Sequence, residues 1–389
     1  MSKIKVVEVI TDTNIGGAGV LLCTRLKYSD RTRIATEVLL PKGSALLPRL
    51  CAMDITVHEM DACRDRSFEL LAIVKYVKLF RKLKPDLVHC HGALSARIAA
   101  MLCGVPVRLY TRHCVYPLSK FQKSLIGRCF IGRAQSLLSH RMIAVAHSAK
   151  QNLYEMGVPT DRISVIINGV EGLRAVSEEE KEVLRNRLQL PKDVTVVGIC
   201  ARLEECKGHR CFLAAAQEIL QQDQSYRFLI LGDGSLRDLL EAEAEERGIA
   251  RFVIFAGFCE DVAPYFSLMK INANCSVGTE TSSLALSEGM SLGIPAVVSD
   301  YGGNPYMVRE GENGIVVPQN DPSALASAIL RLSQDKKLYD RLSCGARERF
   351  SSELNAVQMT KKTEELYFEL FCSKISDAKD GRCDAKVNE

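Results

Sequence analysis

The chain is short of several features that would otherwise decide its class. Its 15 cysteines are scattered without one CxxC pair, and the start MSKIKVVEVITD has no apolar stretch of secretory length. A disulfide scaffold therefore gives way to reduced thiols in a protein expected to be cytoplasmic. No apolar run reaches bilayer-spanning length, so any membrane contact is expected to be peripheral, at the inner face. Two stretches lack charge of one sign. From Leu87 to Tyr154 there is no Asp or Glu, against nine Lys or Arg and five of the seven histidines; between Lys270 and Arg309 there is no Lys or Arg. The net charge of +4 is too mild to name a partner.

What is present is a repeating pattern. At 389 residues, with 47% apolar and 25% charged residues, the chain suits a soluble protein of about two domains. Short runs rich in β-branched residues (4–10, 33–40, 86–91, 107–113, 141–146 and 163–168) alternate with helical patterns such as SFELLAIVKYVKLFRKL. After INGVEGLRAVSEEE the alternation restarts with 194–201, 226–232, 252–257, 271–276 and 296–300. This predicts α/β architecture: two doubly wound, Rossmann-like parallel sheets, covered on both faces and facing a central cleft. The domains are expected at 1–172 and 173–352. Residues 353–373 are expected to form a helix crossing back to the first domain, and 374–389 a flexible tail.

In such sheets ligands lie beyond the carboxyl ends of strands. There the second half carries ARLEECKGH, placing Arg202 and Lys207 where two cations suit a diphosphate. LGDGS and AGFCED, with Gly232 and Phe258, follow the next two strands. SVGTETSSLALSEGMSLG then sets Glu280 in a loop and Glu288 within a short helix. Carboxylates with no cationic neighbours in sequence suit the hydroxyls of a ribose or hexose, and a helix N-terminus suits a phosphate. Taken singly, each feature is more often an ordinary solvated surface group. In the first half, NIGGAG supplies Gly16 and Gly17. VHCHG puts His89 and His91 on one strand face and Cys90 on the other. TRHC ends a strand at His113.

The ordered set of GG, HxH, a later His, R-x4-K-G and E-x7-E resembles the GT4 family of retaining glycosyltransferases of GT-B fold, over residues 4 to about 370. The resemblance implies a sugar transferase using a nucleotide-diphosphate sugar, with UDP as the expected nucleotide. The first domain would bind the acceptor and the second the donor. Arg202 and Lys207 would hold the diphosphate, Glu288 the ribose and Glu280 the transferred sugar. The backbone of Thr281, Ser282, Ser283 and Leu284 would meet the diphosphate and sugar, and the loop holding Phe258 the base. Gly16 and Gly17 would let acceptor and donor phosphate approach, and His113 would lie near the sugar, with His89 and His91 in the same first-domain cleft. The chain departs from the pattern at Gly19, where Glu is common, at Ala201 for Gly, and at Thr281 for Gly or Ser.

No metal or cofactor is expected. There is no DxD, and Cys90 is turned away from the two histidines, leaving no third and fourth zinc ligands at finger-like spacing. The incomplete GxGxxG of NIGGAG argues against a nicotinamide enzyme, and the basic stretch contains no nucleic-acid module. A GT-B nucleotide-sugar epimerase or phosphorylase, and a noncatalytic lipid-surface protein, remain alternatives. The segment 116–141 mixes Phe121, Leu125, Ile126 and Phe130 with Lys120, Lys123, Arg128 and Arg133. It suits either an anionic lipid surface or a core-facing helix whose wet side is basic. A lipid surface would make the acceptor a lipid-linked glycan in cell-surface polysaccharide or glycolipid assembly.

Overall fold

The computed structural model describes residues 3–384 except 116 and 279, with side chains as far as residue 375. The β-branched runs become two wholly parallel sheets. The first holds β1 (Ile4–Ile10), β2 (Ile34–Pro41), β3 (Thr56–Met60), β4 (Leu87–His91), β5 (Val107–Arg112), β6 (Arg141–Ala144) and β7 (Ile163–Val165), in the order β3-β2-β1-β4-β5-β6-β7. The second holds β8 (Thr195–Cys200), β9 (Tyr226–Leu231), β10 (Val253–Gly257), β11 (Ile271–Asn274), β12 (Ala296–Ser299) and β13 (Gly314–Val317), in the order β10-β9-β8-β11-β12-β13. Two strands had no counterpart in the sequence reading, β3 and β13. Both are edge strands of five and four residues, too short to show a clear period.

Each sheet reverses its direction of growth once, between β1 and β4 in the first and between β8 and β11 in the second. Loops leaving the two strands on either side of such a switch point diverge and leave a crevice at the carboxyl edge. Beneath it, in the second sheet, Phe212 and Phe228 meet edge to face at 5.7 Å, within a core continuous with the helices His209–Gln222 and Pro322–Gln334. Burial of this apolar surface, worth about 25 cal/mol per Å², provides the rigid base from which the loops project.

The chain divides into two compact units, Met1–Asn168 with Ala356–Glu389, and Gly169–Asn355. The final helix, Ala356–Asp384, belongs to the first unit. There Glu364 accepts hydrogen bonds from Ser29 Oγ at 2.6 Å and from the Asp30 N–H at 3.0 Å, and the Arg33 guanidinium lies 3.8 Å from the Phe368 ring centroid. Where a flexible tail was expected from residue 374, this helix continues to Asp384, because no proline interrupts SKISDAK and extending a formed helix is cheap. Residues 385–389 of that tail lie outside the described residues.

Candidate active site

In the second unit, the turn after β8 is drawn onto the end of β11 by Gly208. This glycine has φ +71°, and a Cβ there would stand 2.0 Å from the Cys275 carbonyl oxygen. The approach brings Lys207 Nζ to 2.9 Å from Glu280 Oε2 across 73 residues of sequence. Folding thus supplies Glu280 with the cation that its sequence surroundings lack. Ser276 Oγ also donates to Glu280 Oε2 at 2.9 Å, so this buried carboxylate is held firmly. Arg202 lies at the rim, 71% exposed, and reaches Glu204 Oε1 at 2.6 Å. It remains free to swing toward an anion.

Glu288 differs. It lies on the helix Leu284–Ser291, whose N-cap Ser283 side chain accepts from the Leu286 N–H, and burial pushes its carboxyl pKa upward. Among the described residues its carboxylate has neither a hydrogen-bond donor nor a cation. A half-buried carboxylate without partners carries a desolvation cost that a ligand's hydroxyls would relieve. Ser282, one step before the cap, donates to Met307 Sδ at 3.6 Å. The loops after β9 and β10 meet through the Gly232 N–H and Gly257 carbonyl at 2.8 Å, and the next side chain, Phe258, stands 80% exposed.

Sequence reasoning missed the support beneath these loops. Gly302 and Gly303 lie against the backbone of Glu280 and Thr281. A Cβ on Gly303 would stand 1.6 Å from the Thr281 oxygen, and the Gly303 N–H donates to the Glu280 carbonyl at 3.1 Å. Below them Asn304, fully buried, donates to Ser299 Oγ at 3.0 Å, and Ser299 Oγ in turn donates to the Ser276 carbonyl at 2.6 Å. The signal was present in YGGNP: two adjacent glycines after a strand mark close backbone approach.

In the first unit, Gly16 is the N-cap of the helix Gly17–Lys27 and, lacking a side chain, leaves the first helical N–H groups without a side-chain acceptor; both glycines are exposed. The departure at Gly19 has a packing reason, since a Cβ there would lie 2.8 Å from Leu46 Cδ2 in the core. The parallel register sets Glu8 beside His89 and Ile10 beside His91, with His91 beside Thr111. Cys90 joins the apolar cluster on the opposite face, and the histidines share theirs with Glu8, a residue the sequence reading passed over.

Glu8 is fully buried. Its Oε1 accepts from the Arg25 guanidinium and from Tyr367 Oη at 2.7 Å, and its Oε2 lies 2.8 Å from His91 Nε2. Burial alone would raise its pKa, but Arg25, His89 and the hydrogen bonds from His89 and His91 together hold it well below the usual carboxylate range. His89 is enclosed, Nδ1 at 2.7 Å from Tyr367 Oη and Nε2 at 2.6 Å from Thr111 Oγ1, and burial brings its pKa down to about 4. His91 Nδ1 reaches His113 Nε2 at 2.9 Å. Burial, then the neighbouring His91 and His89, depress the His113 pKa well below its ordinary value, so its ring is neutral at pH 7.

Glu8, His89 and His91 bring ligand atoms within 4.8 Å of one another, a group able to hold a metal ion. Each of these atoms is already engaged in a hydrogen bond, and a divalent cation there would sit beside the Arg25 charge.

The segment 116–141 begins at Tyr116, outside the described residues. Beyond it the helix Leu125–Leu138 settles the question of facing: its glycines turn inward and its large apolar residues outward. A Cβ on Gly132 would lie 2.0 Å from the Gly157 oxygen, whereas Leu125 is 84% and Phe130 69% exposed. Ile126, Phe121, Lys120, Lys123 and Arg133 are also exposed, and Arg128 is half-buried, 5.6 Å from the Tyr154 ring centroid. The reading of a core-facing apolar side is thereby corrected. Among the described residues no helix is long and apolar enough to cross a membrane.

Two sheets of seven and six parallel strands, each with polar residues gathered at its switch point, define a protein of α/β GT-B fold. Residues 15–171 match Glycosyltransferase Family 4, and residues 194–335 match Glycosyl transferases group 1. The chain is 27% identical over 323 residues to the Escherichia coli UDP-Gal:alpha-D-GlcNAc-diphosphoundecaprenol alpha-1,3-galactosyltransferase, covering 80% of this chain and 83% of that one. Its fold is similar to that of a glycosyltransferase from Rickettsia africae, with TM-score 0.82 and 19% identity over 95% of this chain and 99% of that one. It is also similar to Anabaena Alr3699/HepE in complex with UDP, with TM-score 0.79 and 21% identity over 95% of this chain and 100% of that one. The chain belongs to the GT4 family of group 1 glycosyltransferases.

Proposed function

We propose that this glycosyltransferase takes a sugar from a UDP-sugar, without metal and with retention of configuration, and passes it to a hydroxyl of a lipid-linked glycan at an anionic membrane surface. The observation that carries the donor site is the partnerless, half-buried carboxylate of Glu288 on the helix that follows the fixed Lys207–Glu280 pair. Glu288 takes the ribose hydroxyls, and Glu280, with one oxygen held by Lys207 and Ser276, turns the other to the sugar. The backbone of Thr281 to Leu284, ending in a capped helix N-terminus, receives the diphosphate with Arg202 and Lys207. Phe258 offers an exposed ring for the base. UDP is favoured because it is bound by Anabaena HepE and because UDP-Gal appears in the name of the Escherichia coli relative.

Two cations, Lys207 held by Glu280 and the exposed Arg202, can take the part a divalent ion plays elsewhere, neutralising charge as the sugar–diphosphate bond breaks. In a front-face reaction the acceptor oxygen bonds to the anomeric carbon on the side from which the diphosphate leaves, and the hydroxyl proton passes to a diphosphate oxygen. His113, neutral and close to the first unit's switch point, orients a hydroxyl. The outward apolar and basic face of Leu125–Leu138 suits anionic headgroups, and the diphosphoundecaprenol in the name of the Escherichia coli relative is a lipid carrier. Both observations support a role in cell-surface polysaccharide or glycolipid assembly.

The test is transfer from radiolabelled UDP-sugars to membrane lipid extracts in EDTA, with product anomers assigned by NMR. Retained configuration and undiminished rate are expected. Inversion, or a rate restored only by added metal, would contradict the reading.

A further inference from the structure

We propose that a second helix tip completes the membrane contact: the start of the helix Leu70–Leu83 enters an anionic lipid surface together with the start of Leu125–Leu138, so that the carboxyl edge of the first sheet faces the bilayer. This rests on the membrane reading above, which used Leu125–Leu138 alone.

Strand order brings the two helices together. The steps from β3 to β4, β4 to β5 and β5 to β6 all run the same way across the sheet, so right-handed crossovers put Leu70–Leu83, Leu94–Leu102 and Leu125–Leu138 on one face. The middle helix packs against both of the others. Each outer helix starts at the carboxyl edge. Just before the first, the Asp65 N–H donates to the Thr11 carbonyl beyond β1 at 2.9 Å. The second ends at the opposite edge, where its Leu137 carbonyl accepts from Arg108 Nη2, near the start of β5, at 3.2 Å.

The helix Leu70–Leu83 is complete on its inner side, with Ala72, Tyr76 and Phe80 in the core. Outward, Leu70 and Leu71 are 70% and 72% exposed, and Phe68 and Val74 also stand in solvent. Four exposed apolar side chains within seven residues, serving no core, differ from a lone surface leucine such as Leu239. Leu102 and Leu137 are exposed at the amino edge, away from these tips. Behind the first tip the same side turns basic, with Lys75, Lys78, Arg81 and Lys82 exposed. Apolar groups at the tip and cations further back follow the depth order of a bilayer interface, acyl boundary first and headgroup phosphates next.

Charge selects the lipid. From Leu70 to Tyr154 there are fourteen Lys or Arg and a single acid, Asp86, whose carboxylate accepts from the Lys5 N–H at 2.8 Å. The acids just before the first tip are engaged by the protein, Asp65 by the Thr13 N–H at 2.8 Å and Glu69 by the Cys63 N–H at 2.7 Å. Anionic headgroups complement such a surface, whereas two copies of it would repel each other. Two anchors on one rigid scaffold multiply their partition coefficients and fix the tilt that one helix leaves open. The crevice between β1 and β4 then opens toward the headgroups, where a lipid-linked acceptor carries its sugar.

The experiment uses single tryptophans, because the chain has none of its own. Leu71→Trp, Phe130→Trp and, on the second unit, Leu239→Trp each place one reporter at an exposed position. With vesicles of equal parts phosphatidylcholine and phosphatidylglycerol, the emission of the first two should shift to the blue and escape quenching by acrylamide, while the third stays unchanged. Leu71→Asp should lower partitioning to the same vesicles about 10–100-fold by sedimentation. That side chain is exposed and an acid suits the first turn of a helix, so the fold should persist. A response at position 130 without one at 71 would overturn the second tip and leave the membrane reading standing. No response at either would overturn both, as would an equal response at 239, the mark of unspecific adsorption. An equal response to phosphatidylcholine alone would overturn the assignment to anionic lipid. Blue emission that grows with protein concentration and needs no vesicles would give the face to a second copy instead. The readout needs neither donor nor acceptor, so absence of transfer in a separate assay would count against the transferase reading alone.

Discussion

The two units place charge at the same topological position by opposite means. At the switch point of the first, Glu8, Arg25, His89 and Tyr367 are sealed inside and bond to one another, with Arg25 Nη1 left unsatisfied, and Glu8 connects through His91 to His113. At that of the second, charged side chains stand on loops, one pair fixed and one carboxylate unpartnered. A buried, mutually bonded network suits holding a fixed arrangement, whereas open, partly unsatisfied groups suit holding a charged ligand. One fold thus carries a buried, mutually bonded charge network in one half and loop-borne, partly unpartnered charges in the other.

The sharpest way to break this comparison is to remove the fixed cation. Lys207→Met should cost the second unit roughly 3–5 kcal/mol, because it leaves Glu280 buried and uncompensated. Urea unfolding would measure it, and a change below about 1 kcal/mol would mean that the pair is solvent-relaxed. Next comes acid. His89 is held neutral, with its pKa brought from 6.5 to about 4, so the unfolded chain binds more protons below pH 6.5 and stability falls as pH drops from there toward 4. Full passage through that window costs the first unit roughly 3 kcal/mol. Hydrogen exchange resolved by peptide should show β4 and β5 opening first.

Smaller effects test the loops. Gly303→Ala must displace the Thr281 carbonyl, with an expected cost of about 1–3 kcal/mol and weaker nucleotide binding. Phe130→Asp should change stability by less than about 0.5 kcal/mol, because the ring is exposed, while releasing the protein from anionic vesicles in a sedimentation assay. Unchanged vesicle binding would remove the membrane from the account.

Much of this was legible from local pattern. The central strands, the R-x4-K-G turn and the placing of Glu280 before a helix and Glu288 within it all follow from runs of a few residues. What was hidden depends on contacts between distant segments. Lys207 and Glu280 lie 73 residues apart, and Tyr367 meets Glu8 across 359. Glu8 itself did leave a trace: one acid inside the apolar strand IKVVEVI requires a buried partner, since an unpaired charge there is prohibitive. The basic helix was ambiguous because amphipathic spacing does not say which face is inward. Gly132, which only close packing explains, held that answer.

The central claim is that Glu288 binds the nucleotide of the donor, and calorimetry tests it most directly. UDP titrated in EDTA into the unaltered protein and into Glu288→Ala should bind the first and lose about 10–150-fold in affinity in the second, the loss equivalent to roughly 1.5–3 kcal/mol of charge-assisted hydrogen bonding. The variant should be as stable as the parent, because the carboxylate it removes has no protein partner. Equal affinity in both proteins, or no UDP binding by the parent, would contradict the account.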